Sequence, residues 1–323
     1  MNDLKTVLGM KYPIIAGPMA WTSMVSLVSA VANAGALGVL GAGGATLDII
    51  DQQIKKVKEK TDQPFGVNVL LDRSAETYIA QMTDLIDKDN LKFIYADDAE
   101  FEGFDKPLAK KWFDIWHEIG LKVIVKVATA KAAIIADESG ADVIVAKGRE
   151  GGGRLSHVGT IALVPEVVDV VKHAAVVASG GISDGRGFAA ARVLGASGIE
   201  MGTAFLAASE GDIHSNVKKA VVNSTVENLV VTGRDTNSPC WQISNQLSDQ
   251  LITVEKENAP KVAVPEIEKL ATGTLRLAAQ DGDVVKGAVM PGQGVSLVNE
   301  IRPVKEIITT VYNEGMAILN KKY

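Results

Sequence analysis

The chain is poor in several things that would each point to a class of function. Among its 323 residues there is one cysteine, Cys240, so neither a disulfide framework nor a cysteine-rich metal site can be built. A reducing cytoplasm is the expected setting. The four histidines (His117, His157, His173 and His214) show no HxH or HExxH spacing, and no protein-bound metal is expected. Aromatic residues make up 5%, the net charge is −6, and no basic block occurs. A nucleic-acid surface needs clustered Lys and Arg, so none is expected. The N-terminus lacks a charged-then-apolar leader pattern. No apolar run reaches the roughly 20 residues of a membrane span, because Gly, Asn and Ser interrupt the most apolar stretch, residues 25–45.

Glycine is what the chain has in excess. There are 31, about one residue in ten, against ~7% in average usage. With 47% hydrophobic and 22% charged residues, the composition is that of a packed protein rather than a disordered one.

Short, nearly continuous apolar runs begin near Pro13, Leu37, Phe65, Leu91, Leu121, Asp142, Ala174 and Gly198. Such runs read as parallel strands buried on both faces. They recur at a mean interval of about 26 residues, the length of one βα unit of a barrel. Between them lie helix signals: Asp105 before Pro107, Thr129 before an apolar stretch closed by Gly140, Thr160 with Pro165, and Ser183-Asp184 before a segment closed by Gly195. Eight strands in strict alternation predict an α/β fold, a (β/α)8 TIM barrel over residues 1–205. The alternative is an open sheet with a dinucleotide loop at Gly41, Gly43 and Gly44, but Thr46 stands where the third Gly of that motif belongs. Past Phe205 the alternation stops. Residues 206–284 are expected to form a helical lid subdomain, and residues 285–323 to pack back on the barrel.

Glycine clusters fall at the carboxyl ends of the proposed strands, the face that carries barrel active sites. Gly180 and Gly181 follow the seventh run, and Gly202 follows the eighth. Together they suit a phosphate site with a helix N-terminus aimed at the anion; separately each is an ordinary tight turn. Lys126 lies inside LKVIVKV and needs a partner if buried, for which a cofactor carbonyl or an anionic ring nitrogen would serve. It can also snorkel from the strand end. Asn68 in FGVNVL is likewise able to hydrogen-bond a heterocycle edge.

Six segments in order, YPIIAGPMAW, PFGVNVL, GADVIVAKGREGGG, VVASGGISDGRG, VLGASGIEMGTAFL and VMPGQG, resemble the motifs of the FMN-dependent nitronate monooxygenase superfamily. That superfamily includes nitronate monooxygenases, flavin-dependent enoyl-acyl-carrier-protein reductases and NADH:quinone reductases. The resemblance implies a barrel with FMN over its top. Ala16, Gly17, Pro18 and Met19 would line the flavin, Asn68 and Lys126 would contact its ring, and Gly152 would approach it. Gly180 and Gly181 with Glu200, Met201, Gly202 and Thr203 would hold ribityl and phosphate, and Met290 to Gln293 would close over the cofactor. The short stretch 151–164 and VMPGQG resemble the enoyl reductases most. These imply NADH or NADPH as reductant, an acyl-thioester substrate presented by acyl carrier protein, and a homodimer.

The sequence departs from that pattern twice. The family's EAGGH appears here as Glu150-Gly151-Gly152-Gly153-Arg154, so Arg154 replaces a His that serves as acid or base, and Arg does not release a proton at neutral pH. His157 or water would then supply the proton, unless His157 is a plain surface residue. Lys147 stands where relatives carry Gln or Glu and adds positive charge, which also suits an anionic nitronate. A nitronate monooxygenase and a flavin-binding protein of low activity are the alternatives to an enoyl reductase. Glu150 reads as a loop anchor and Cys240 as lid packing. Trp21 either walls the pocket or packs the first helix.

Overall fold

The computed structural model describes residues 3–98, 105–236 and 238–321. Eight parallel strands close a barrel: β1 (Ile14–Ala16), β2 (Leu37–Leu40), β3 (Gly66–Leu71), β4 (Phe93–Asp98), β5 (Lys122–Val127), β6 (Val143–Lys147), β8 (Ala175–Ser179) and β9 (Gly198–Met201). Pairing of β1 with β9 completes the ring. Each strand arises from one of the eight apolar runs, and the open-sheet alternative is excluded. β7 (Gly153–Arg154) belongs elsewhere.

Side chains alternate between the two faces of each strand. Ile15, Leu37, Val39, Phe93, Tyr95, Ile124, Val143, Val145, Ala175 and Val177 fill the barrel interior. The opposite set, including Ala16, Val67, Ala96, Val125, Ile144, Val176 and Met201, packs against the surrounding helices. The lower end of the interior is plugged by Leu4 and Leu8 of the first helix, Leu4–Leu8, and by Met10 just after it. Gly198 makes room for that plug, since a Cβ there would overlap Leu4 Cδ2.

Asp105, Thr129 and Asp184 cap their helices as expected, whereas Thr160 is the first residue of a helix whose N-cap is Gly159. Asp105 accepts from the Leu108 N–H at 3.1 Å, and Thr129 accepts from the Ala132 N–H at 3.1 Å. The last helix, Val304–Leu319, packs on the helix Gly185–Val193, where Gly185 and Gly315 let the two approach closely. Tyr312 of that helix meets the rings of Tyr12 and Phe188 edge-on at 5.1 and 5.6 Å.

The segment after residue 206 is only partly helical. Two helices, Gln246–Glu257 and Pro260–Ala271, bury Leu247, Leu251, Ala263 and Ile267 in a small core of their own, while the helix Thr274–Asp281 buries Ala278 and Ala279 in the main core. The same segment also supplies β10 (Leu229–Thr232) and β11 (Cys240–Ile243), which make a three-stranded antiparallel sheet in the order β10-β11-β7. That sheet was not anticipated. Among the described residues no helix is long and apolar enough to cross a membrane.

Candidate active site

The inward-facing positions at the carboxyl ends of the strands turn from apolar to polar. β4 contributes Asp97, β5 Lys126, β6 Lys147, β8 Ser179 and β9 Glu200, and the ladders set them side by side: Asp97 opposite Lys126, Lys147 opposite Ser179, Ser179 opposite Glu200. Lys126 Nζ lies 2.6 Å from Asp97 Oδ1. Asn68 Nδ2 donates to Asp97 Oδ2 at 2.7 Å. The partner of the strand lysine is therefore a neighbouring carboxylate, where the sequence reading supplied a cofactor carbonyl. Burial opposes the Lys126 charge, yet Asp97 and Glu200 outweigh it and hold its pKa above the ordinary lysine value.

Glu200 is buried directly below Gly17, where a Cβ would come within 2.8 Å of its carboxyl carbon. Both oxygens accept hydroxyl hydrogens: Tyr95 Oη donates at 2.5 Å and Ser179 Oγ at 3.0 Å. Burial nevertheless raises the Glu200 pKa, with Lys126 and the two hydroxyls pulling the other way. Lys147 is 7% exposed, and its Nζ donates to the Arg154 carbonyl at 2.7 Å. Burial first, and the ammonium of Lys126 second, lower its pKa from the usual 10.5 to about 7.

Above this layer opens a cavity of about 400 Å³. Of the residues singled out from sequence, Gly17, Pro18, Met19, Lys126, Lys147, Gly152, Arg154, Gly180, Gly181, Glu200, Gly202, Thr203 and Met290 form its wall. Five do not. Ala16 and Met201 point outward into the helix layer, because they sit one residue away from inward-facing neighbours. Asn68 supports the wall through Asp97 rather than forming it. Gln293 acts through its backbone, its N–H donating to the Glu150 carbonyl at 2.8 Å. His157 is exposed and lies off the wall. Trp21 is off it too; it adopts φ 62° and packs on the core under Arg276, 5.9 Å from the ring centroid. The sequence reading missed Asp97, Ser179, Ser183 and the apolar wall of Leu70, Leu206 and Leu275.

Glycines let three backbone segments converge here. Gly152 faces the Met290 carbonyl, where a Cβ would come within 2.6 Å, and the Gly292 N–H donates to Thr203 Oγ1 at 2.9 Å. Gly180 and Gly181 adopt φ 106° and 72°, conformations that other residues rarely tolerate. Glu150 anchors this loop by accepting from Thr160, from the backbone N–H at 2.8 Å and from Oγ1 at 2.8 Å. Ser183, 2% exposed, has its Oγ buried without a hydrogen-bond partner, on the wall between Gly181 and Gly294. A buried orphan hydroxyl in a cradle of glycines fits a phosphate ester. The N-terminus of the helix Gly185–Val193, one of the helix starts near the expected phosphate site, is occupied by its own cap. The Asp184 carboxylate already accepts there from the Arg186 and Gly187 N–H groups, at 2.9 and 3.2 Å. A flavin mononucleotide fits the donor set: phosphate toward Ser183 and the glycines, ring toward Lys126 and Gly17.

Arg154 reaches this site through the three-stranded sheet. β7 pairs with β11, Arg154 opposite Cys240, so the position of Arg154 is fixed by strands far along the chain. Trp241 clasps the same loop, its Nε1–H donating to the Arg149 carbonyl at 3.0 Å.

Compared with known proteins, residues 2–314 match the family model described as nitronate monooxygenase. The chain is 34% identical to (3aS,4S,5R,7aS)-5-hydroxy-7a-methyl-1-oxo-octahydro-1H-indene-4-carboxyl-CoA dehydrogenase of Mycobacterium tuberculosis (strain ATCC 25618 / H37Rv), over 77% of this chain and 68% of that one. A probable nitronate monooxygenase of Staphylococcus aureus (strain N315) is 29% identical over 99% of both chains. Among solved structures, FabK from Thermotoga maritima superposes with a TM-score of 0.89 at 32% identity, covering 99% of this chain and 97% of that one. The match runs through the same strand ends that build the cavity, and the chain belongs to the nitronate monooxygenase family of FMN-dependent flavoproteins as an oxidoreductase.

Proposed function

We propose that the protein binds FMN and reduces the double bond of an enoyl thioester at the expense of NADH or NADPH. The observation that carries this reading is the mixed lining of the cavity: Leu70, Leu206, Leu275 and Met290 give apolar surface suited to an acyl chain, and Arg154 lines the same cavity as a cation for its carbonyl. The CoA-thioester name of the mycobacterial relative and the fold likeness to FabK support the same substrate class.

When bound, FMN supplies the two-electron chemistry that links the nicotinamide to the double bond. The chain's own contributions are positional and electrostatic. Gly152, Gly180 and Gly181 let backbone approach the cofactor, while Ser183 Oγ is a donor held ready for its phosphate. Lys126, held by Asp97, would offer a positive charge to the ring. Arg154 holds the thioester oxygen and stabilises negative charge as it develops there. The acyl group is presented on coenzyme A or on acyl carrier protein.

A second reading, nitronate oxidation with O2, is favoured by the presence of Lys147 and Arg154 on one cavity wall, since basic side chains suit a small anion. One experiment separates the two. Purified protein is expected to release FMN on denaturation, to be bleached anaerobically by NADH or NADPH, and to regain colour with crotonyl thioester. Oxygen uptake with alkyl nitronates and no response to enoyl thioesters transfers the assignment to the second reading.

A further inference from the structure

Reduction of an enoyl thioester needs a proton at the α-carbon as well as hydride at the β-carbon, and the residues expected to give it are unsuited. Arg154 keeps its proton at any physiological pH, and His157 is exposed and off the cavity wall. Asp97 and Lys126 neutralise each other at 2.6 Å. Glu200 accepts a hydroxyl hydrogen at each of its two oxygens, which favours the carboxylate against the burial that raises its pKa and ties both oxygens to Tyr95 and Ser179. Lys147 remains.

We propose that Lys147 is the general acid of this active site, delivering the α-proton in place of the histidine that Arg154 has displaced. The inference rests on the enoyl-thioester reading above. Lys147 lies on the cavity wall beside Arg154, and its Nζ donates to the Arg154 carbonyl at 2.7 Å. The acid and the cation that holds the thioester oxygen are therefore fixed to one another. Gly151 keeps the lysine's path clear, since a Cβ there would come within 2.6 Å of Lys147 Cε. The groups that act electrostatically on Lys147 include Lys126 from β5, Asp97 from β4, Glu200 from β9 and Cys240 from β11, with Arg154 adjoining from β7. Burial and the Lys126 ammonium bring Lys147 to about 7, so at neutral pH it can both hold and release a proton.

The step balances. Hydride originating from NAD(P)H forms the new C–H bond at the β-carbon, and the π electrons pass to the α-carbon through the enolate held by Arg154. They then take the proton from Lys147 Nζ, whose N–H bond breaks. The resulting neutral amine is reprotonated by water from the cavity mouth. The net reaction is enoyl thioester plus NAD(P)H plus H⁺ to acyl thioester plus NAD(P)⁺.

The test uses FMN-loaded protein with crotonyl thioester, wild type beside Lys147→Arg, which keeps the charge but cannot release a proton. Lys147→Met, neutral and of similar length, stands in if the Arg variant does not fold. Wild-type kcat/KM should fall above a pH near 7, and the variant should lose that limb and about 100-fold in rate. A ¹³Cε-lysine NMR titration gives a readout independent of turnover: the resonance missing from the variant should move in wild type with a midpoint near 7. A variant that keeps both rate and pH limb overturns the assignment, as does a wild-type midpoint above 9. If wild type reduces no enoyl thioester, the substrate reading fails and the acid role falls with it. Turnover by wild type with an unaffected variant removes Lys147 alone.

Discussion

Tyr95 is fully buried, with its hydroxyl 2.5 Å from Glu200 Oε2 and its ring 5.6 Å from Lys126 Nζ. Burial raises its pKa far above the ordinary value, and the Glu200 carboxylate adds to this, so the phenol stays protonated and donates. Tyr95→Phe keeps the ring and removes the donor. Glu200 then loses one of two hydrogen bonds in a dry setting, at a cost of about 1–3 kcal/mol. Urea unfolding of the variant should show a lower midpoint with an unchanged slope; an unchanged midpoint would mean that Glu200 needs no donor there. At this scale the sequence was informative where a polar residue interrupted an apolar run. Asn68 and Lys126 stood out for that reason. Asp97 did not, because an acid at the end of LKFIYADD reads as the end of a strand. That Asp97 pairs with both depends on the register between three strands, which no spacing along one strand contains.

The glycines of the loop elements divide by what surrounds them. Gly152 and Gly292 lie backbone to backbone, whereas Gly153 on the cavity wall meets nothing within 4 Å, and neither do Gly43 and Gly44, which lie off that wall. The composition alone could not separate the two kinds. Gly152→Ala drives a methyl toward the Met290 carbonyl, a backbone atom that has no rotamer to escape into. Overpacking of this kind costs about 1–3 kcal/mol, so FMN should be retained about tenfold more weakly or worse. Fluorescence of flavin released on dilution reports it, and retention equal to wild type would show that the two loops part without consequence. The three-stranded sheet was invisible in sequence for a different reason. β7 is two residues long, β11 sits inside a polar stretch, and their pairing joins segments more than eighty residues apart. Arg154 could therefore be named from its motif, but its placement could not.

At the scale of the molecule, the barrel was the most legible feature. A parallel barrel places each strand beside the next one in the chain, so the order of apolar runs is already the order of the sheet. Beyond residue 206 no such rule applies, and the mixed helix-and-sheet insert had to be seen. The plug described at the lower end has a kinetic consequence. Leu4, Leu8 and Met10 close the bottom of the barrel with side chains that are at least nine-tenths buried, and the cavity lies at the opposite end. On the enoyl-thioester reading proposed above, nicotinamide and acyl substrate both reach the cavity from the end opposite the plug, and each is expected to leave before the other binds. Initial rates measured against both substrates should give parallel double-reciprocal lines, the signature of a ping-pong cycle. Intersecting lines would require both to be housed at once, in a chamber whose floor has no second exit.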